Sequence, residues 1–367
     1  MKKLCKQDLT DILYGCAIYG TGGGGRLEEG FEYIEKAFAA GKDFNLVDID
    51  DVPSGSYVCT PYMLGTVTQM PTDAELKYKR LPRNSKSSIM TAFRRLEAYS
   101  GHSFYGTICC ELGGSNTAIS FYVAAMIDGF IIDGDPAGRA VPEITHSTYY
   151  LNELPAAPIV SANEFGECFI CENIVDDQRA EDLIRALAIT SRNDIAAIDH
   201  AMDIDDVRDV LIKGTISSAL ALGSAFRKAK KSKQDIANAI ARHGNGEIAF
   251  RGEVSHFECK NEGGFTCGEV EINGTGKFTD HKLKILIKNE NMAAWLNGEL
   301  HITIPDLICL IDMEDLKPVV NPEHRIGMNV AVVVLPAAKE FTSKKGLAAF
   351  GPAYLGLDDE YQPFIST

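Results

Sequence analysis

The stretch that most limits what this chain can fold into is residues 105–132. Residues 105–110 form a short apolar run, and Glu111-Leu-Gly-Gly-Ser-Asn116 has the composition of a turn. Residues 117–126 are apolar over the length of a helix, and residues 129–132 are apolar again. Strand, helix and strand at this spacing make a βαβ unit, which requires parallel pairing and a right-handed crossover. The N-terminal half is therefore expected to be α/β, around a partly parallel sheet.

In open α/β sheets a ligand sits beyond the carboxyl ends of the strands. The residues that follow each run are thus the first candidates for chemistry. After the first run come Glu111, Gly113, Gly114 and Asn116, and after the second comes Asp133-Gly-Asp135-Pro-Ala-Gly-Arg139-Ala-Val-Pro142-Glu143. Glu111, Asp133, Asp135 and Glu143 would gather catalytic carboxylates on one rim. Crowded carboxylates raise one another's pKa, which suits a general acid or base. The same oxygens would suit a divalent cation. His146 would share a helix face with Glu143 if Pro142 opened a helix. Glu111, Asp133, Asp135, Glu143 and His146 are therefore the candidate metal ligands. Arg139 could neutralise the cluster or clamp a substrate carboxylate through two hydrogen bonds. Gly113 and Gly114 would let backbone approach a ligand, and Asn116 would offer an amide. A purely structural set of turns, caps and an ion pair would use the same residue types. Cys109 and Cys110 close the first strand; they read as core positions, and a reactive thiol would need a cation such as Arg139 beside it.

A second feature is the run Gly22, Gly23, Gly24 and Gly25. It follows a helical stripe (Leu9, Ile12, Leu13, Cys16, Ala17) rather than a strand, and Arg26-Leu27 follows it. Neither a dinucleotide fingerprint nor a P-loop has that context, so no nucleotide cofactor is expected. The run is either a tight turn between helices or a nest of N–H groups that holds a ligand oxygen.

Further along, helices are expected over residues 27–40, 87–99, 177–191, 205–227 and 232–242, the last with Ser232 as its N-cap. Short strands are expected at 44–49, 57–60 and 167–174. Residues 70–86 read as loop, and the Pro- and Ala-rich stretch 153–163 as a boundary. Cys168 and Cys171 would fall on opposite faces of a strand, which argues against a redox pair. His200, His243 and His256 are isolated in sequence. Asn289-Glu290-Asn291, Asp306 and Asp312 read as turn formers. Beyond Gly244, alternating runs at 268–272, 283–287, 299–303, 307–312 and 328–335 are separated by Asn-Gly, Gly-Gly and Pro-Asp. Such spacing suggests an antiparallel barrel or sandwich. The expected division is an α/β domain over residues 1–165 and a C-terminal part over 166–367, with helices at about 177–242 and a β-rich domain at about 245–340.

The 367 residues carry 36 Lys and Arg against 51 Asp and Glu, a net charge of −15. That balance argues against nucleic acid as a partner and against docking on anionic membranes. No apolar run approaches the ~20 residues that span a bilayer. The ten cysteines are scattered rather than framed for disulfides, which suggests a reduced, cytoplasmic setting.

Several blocks together resemble one family. They are Gly20-Thr-Gly-Gly-Gly-Gly25, Glu111-Leu-Gly-Gly-Ser-Asn116 and Asp133 to Glu143, followed by Gly263-Gly-Phe-Thr-Cys-Gly268, Lys288-Asn-Glu-Asn291, Ile304-Pro-Asp-Leu-Ile308 and Gly351-Pro352. The chain is similar, over about residues 8–364, to the S-methyl-thiohydantoin desulfurase family, a group long catalogued as a domain of unknown function and associated with hydantoinase/oxoprolinase-type proteins. The resemblance implies an N-terminal three-layer α/β domain and a C-terminal β-barrel-like domain. It implies a hydrolase or desulfurase for which the partner is a small-molecule substrate, a five-membered cyclic amide or thioamide. Water would replace methanethiol at the carbon between the two ring nitrogens. The matching positions are Glu111, Asn116, Asp133, Asp135, Arg139 and Glu143. One departure is Lys288, where Gln is expected before Asn-Glu. The rival expectation is a non-catalytic ligand-binding partner or subunit of a hydantoinase-type protein. A homo-oligomer and a divalent metal are both left open.

Overall fold

The computed structural model describes residues 1–65 and 72–365, and two sheets organise them. The first sheet runs in the order Lys2–Leu4, Phe44–Asp48, Phe130–Asp135, Gly106–Thr107, Tyr57–Gly65, Asp194–Asp203, Ile159–Ala162 and Cys168–Cys171. Its middle is parallel: Phe44–Asp48, Phe130–Asp135, Gly106–Thr107 and Tyr57–Gly65 all point the same way. The expected βαβ unit is present, with the helix Asn116–Met126 as its crossover. That helix is buried nearly all round, which explains its unbroken apolar sequence. The remaining neighbours along this order pair antiparallel, and Ile212–Lys213 adds to Phe130–Asp135 from the side.

The second sheet has eight antiparallel strands, from Glu299–Thr303 at one end to Lys317–Pro318 at the other. Its core alternates along each strand, as Leu283, Ile285 and Ile287 do. Among the described residues its order is an open path, so the expected antiparallel sheet is present but no pairing closes it into a barrel.

Two helices, Lys6–Tyr19 and Thr215–Lys231, lie between the sheets. Leu9, Ile12, Leu13 and Cys16 face the first sheet's core, whereas Ile18, Leu222 and Phe226 pack with Cys309, Ile311 and Val333 of the second. The two helices touch backbone to backbone. A Cβ at Gly15 would stand 2.0 Å from the Ala219 carbonyl oxygen, and one at Gly223 would stand 1.7 Å from that of Asp11. Arg227 then clamps the Asp11 carboxylate with two hydrogen bonds of 2.7 and 2.8 Å. No helix among the described residues is long and apolar enough to cross a membrane.

Several local expectations differ from the structure. The stretch 205–227 is not one helix: Ile204–Val207 is a short turn of helix, and Gly214, with φ of +74°, starts Thr215–Lys231. Ser232 ends that helix by donating to the Lys228 carbonyl, and Asp235 caps the next one, Ile236–His243. Thr72–Lys79 is helical inside the expected loop 70–86, of which residues 70 and 71 lie outside the described residues. No helix starts at Pro142; residues 142–147 form turns, with the His146 N–H on the Glu143 carbonyl at 3.0 Å. The strand Asp194–Asp203 was hidden by its alanines, which are helix formers in isolation. Together with Ile159–Ala162 and Cys168–Cys171 it carries the first sheet well past residue 165.

The helix contact yields a direct expectation. Gly223→Ala forces the two backbones apart and should cost roughly 1–3 kcal/mol, the usual penalty of overpacking. Urea unfolding of the variant beside the parent measures it, and an unchanged midpoint would contradict the close approach.

Candidate active site

Where the carboxyl ends of the parallel strands face the second sheet, the chain encloses a cavity of about 140 Å³. That is below the roughly 300–1,000 Å³ typical for drug-sized ligands, so the occupant is small. Both halves of the chain build the wall. The first contributes the glycine run, the strand Tyr57–Gly65 and the turn after Gly106–Thr107; the second contributes Asn289, Glu290 and Asn321.

Glu111 lines the cavity, and each of its oxygens accepts one hydrogen bond. Asn116 Nδ2 donates to Oε1 at 2.8 Å, and the Val141 N–H donates to Oε2 at 2.8 Å. Burial raises its pKa to about 7 in spite of these two donors. Asn116 is itself fixed, because its Oδ1 accepts the Met63 N–H at 3.0 Å. Glu290 enters from the second sheet. Burial, and then the charge of Glu111, push its pKa well above the ordinary carboxylate range, and among the described residues its Oε2 is buried without a partner. The cavity therefore holds one carboxyl whose pKa lies near 7 and a second whose pKa burial and Glu111 push well upward.

The glycine run bends around this pair. Gly22, Gly24 and Gly25 have φ of +94°, +72° and +79°. A Cβ at Gly23 would stand 1.9 Å from Glu290 Oε1, and one at Gly24 would stand 2.4 Å from the Gly113 Cα. The Gly24 carbonyl accepts the N–H groups of Ser115 and Asn116. Among the described residues the N–H groups of Gly24 and Gly25 have no hydrogen-bond partner, which leaves two donors on the run that lines the cavity.

The other sequence candidates are placed differently. Glu143 lines the cavity, but its Oε1 is held by Lys288 Nζ at 2.8 Å and by the Tyr354 hydroxyl. Asp133 and Asp135 lie outside the wall. Asp133 binds the N–H and hydroxyl of Ser217, at the start of Thr215–Lys231, and Asp135 closes its own turn by accepting from Ala137 and Gly138 at 2.9 and 2.8 Å. Arg139 is also behind the wall. Its guanidinium donates to the carbonyls of Ala140, Pro305 and Asp306 and to Thr21 Oγ1 over 2.8–3.0 Å, so it is spent on tying the two halves together. Gly113 and Gly114 are used for contact with the glycine run and Gly30. His146 is buried between Phe350 and Tyr354, both at ring distances of 4.5 Å, and burial lowers its pKa to about 3. The five candidate metal ligands thus do not converge. Among the described residues only His256, Glu258 and Glu269, on the second sheet's surface, bring three such ligand atoms within 4.8 Å of one another. Cys110 does line the cavity, yet burial and then Glu111 push its thiol well above the ordinary range, so it is no thiolate. Cys168 and Cys171 are free and lie on a strand, as expected.

Residues that sequence reasoning passed over complete the wall. Glu290 was read as a turn former, although it lies within a family-like block. Asp199 and His200 lie on Asp194–Asp203, a strand the sequence concealed; their adjacency in an apolar run was the one available signal.

The Glu111 environment has a measurable consequence. A carboxyl with a higher pKa folded than unfolded stabilises the fold at low pH, and this is lost as pH rises from its ordinary 4.5 to about 7. Glu111→Gln should therefore gain stability relative to the parent between pH 4.5 and 7. Urea titrations at the two ends test this, and a pH-independent difference would contradict the placement of Glu111.

Comparison with known proteins adds to this geometry. A search of curated proteins returns no match. A crystal structure of a protein from Chromobacterium violaceum superposes with a TM-score of 0.74 at 23% identity, covering 99% of this chain and 100% of that one, which supports the fold alone. The pattern described as "S-Me-THD-like, N-terminal domain" matches residues 7–173, and "S-Me-THD-like, C-terminal domain" matches residues 175–364. The chain belongs to the S-Me-THD-like family.

Proposed function

We propose that this protein is a hydrolase of small thiohydantoin-like rings, with water replacing a sulfur substituent at the ring carbon between the two nitrogens. The observation that carries this reading is Glu111, buried in a small cavity with its pKa near 7. A group poised at the working pH moves protons most efficiently. The family to which the chain belongs supports a thiohydantoin as the ring.

The cavity's charge supports the same class of substrate. Glu111, Glu143, Glu181, Asp199 and Glu290 line it, and Arg185 is bound to Glu181 at 2.5 Å. An acidic wall disfavours anions and suits a neutral or protonated amidine-like ring. Glu290 would donate to the ring nitrogen that gains electron density as water adds. Glu111 would carry the proton from the new hydroxyl to that nitrogen as the ring carbonyl forms. The N–H groups of Gly24 and Gly25, unpartnered among the described residues, would hold the developing oxyanion, a contribution of up to ~3–4 kcal/mol per donor.

The test is methanethiol release from an S-methyl-thiohydantoin, followed with a thiol reagent. The parent should release it, and Glu111→Gln should lower kcat by roughly 10²–10⁴-fold, the usual worth of a positioned acid or base. A variant as fast as the parent would overturn the role given to Glu111.

A further inference from the structure

We propose that His200, oriented by Asp199, is the base that activates the attacking water; this rests on the ring-hydrolase reading and assigns its missing group. His200 lies on the cavity wall beside Thr60, Tyr62 and Tyr149.

The backbone is built to present it. The pairing of Tyr57–Gly65 with Asp194–Asp203 slips between Val58↔Met202 and Thr60↔Asp199. His200 and Ala201 therefore stand opposite Cys59 alone, as in a β-bulge, which re-aims side chains near functional sites. His200 has φ of +42°, in the left-handed region. A non-glycine residue rarely rests there, and the surrounding structure must hold it. Adjacent strand residues ordinarily point to opposite faces. Here the irregularity lets Asp199 and His200 both serve one cavity.

The hydrogen bonds fix the proton's position. Tyr62, whose hydroxyl burial and Asp199 keep protonated, donates to Asp199 Oδ2 at 2.8 Å. Asp199 Oδ1 lies 2.7 Å from His200 Nδ1. A carboxylate accepts, so in the neutral imidazole the hydrogen sits on Nδ1 and the lone pair on Nε2. Among the described residues Nε2 is buried and has no hydrogen-bond partner. The ring is stacked on Tyr149, with centroids 3.8 Å apart at 19°, and Tyr149 is tied to Thr60 at 3.1 Å. Asp177, on the helix Asp177–Thr190, is a further ionisable group close enough to feel His200. An imidazole stacked on Tyr149, with one nitrogen anchored and the other buried and unpartnered among the described residues, on a residue that lines the cavity, is the arrangement of a catalytic base.

The step balances. Nε2 takes one proton of water as the oxygen bonds to the ring carbon, and the C=N pair moves onto the ring nitrogen. On collapse the C–S bond breaks, its pair leaves with sulfur, and the imidazolium returns its proton to that sulfur. The hydroxyl proton reaches the ring nitrogen, so the products are the ring carbonyl and methanethiol.

The test uses the full chain. His200→Asn keeps the backbone comfortable, because Asn tolerates the left-handed region. It should keep the parent's melting temperature and lose roughly 10²–10⁴-fold in kcat, and His200→Ala should regain rate with added imidazole. Asp199→Asn should lower kcat as well, by turning the imidazole to its other tautomer. Full activity of His200→Asn while Glu111→Gln is inactive would overturn the assignment and leave the hydrolase reading standing. Full activity in both would overturn both. Should the parent release no methanethiol, the hydrolase reading fails and the base has no reaction to serve. Nitrogen-15 NMR of the imidazole gives an independent reading of the orientation. A bare Nε2 at neutral pH is expected, and a hydrogen on Nε2 would overturn the proposal.

Discussion

The architecture of the site depends on one buried cation. Arg139 sits behind the cavity wall with its guanidinium bonded to Ala140, Pro305, Asp306 and Thr21. Those partners belong to the turn after Phe130–Asp135, the start of a second-sheet strand and the glycine run. One side chain thus fixes the three segments whose relative placement defines the cavity. Burial lowers its pKa only to about 10, so it remains charged at neutral pH. A buried charge is tolerated where each donor finds an acceptor and opposite charges lie nearby. Glu290, Asp306 and Glu111 supply that opposing field. The cation in turn restrains how far the two cavity carboxyls are driven toward neutrality.

The same economy appears in the glycines. At the crossing of Lys6–Tyr19 with Thr215–Lys231, side chains are removed so that backbones can touch. The glycine run follows the first of these helices directly, so the close crossing also sets where that run meets Glu290. The wall is complete only with the second half of the chain in place, because Asn289, Glu290 and Asn321 come from it.

Much of the fold was legible in the chain. The βαβ unit declared itself through an apolar run, a turn and an apolar helix, since a crossover helix buried on all sides has no polar face to confuse the pattern. The C-terminal strands declared themselves through period-two alternation and glycine or proline turns. Less of the site was legible. Glu111 and Asn116, which follow a parallel strand, do line the cavity. Asp133 and Asp135 satisfied the same rule, yet both oxygens of Asp133 are consumed by Ser217 and Oδ2 of Asp135 by the Ala137–Gly138 turn, which no spacing reveals. Arg139 looked like a substrate clamp, and its donors went instead to distant carbonyls. His200 looked isolated because its strand is rich in alanine and its partners lie over 50 residues away in Thr60, Tyr62 and Tyr149.

What the residues alone determined is therefore local: the periodicities, the turn chemistry, the acidic strand end at Glu111 and the family motifs. The tertiary structure decided which polar atoms stay unsatisfied. Whether a carboxylate, a guanidinium or an imidazole is available for chemistry depends on what else has consumed its hydrogen bonds. Those partners come from elements distant in sequence, such as Pro305 and Asp306 for Arg139 and Ser217 for Asp133, which meet only in the folded chain.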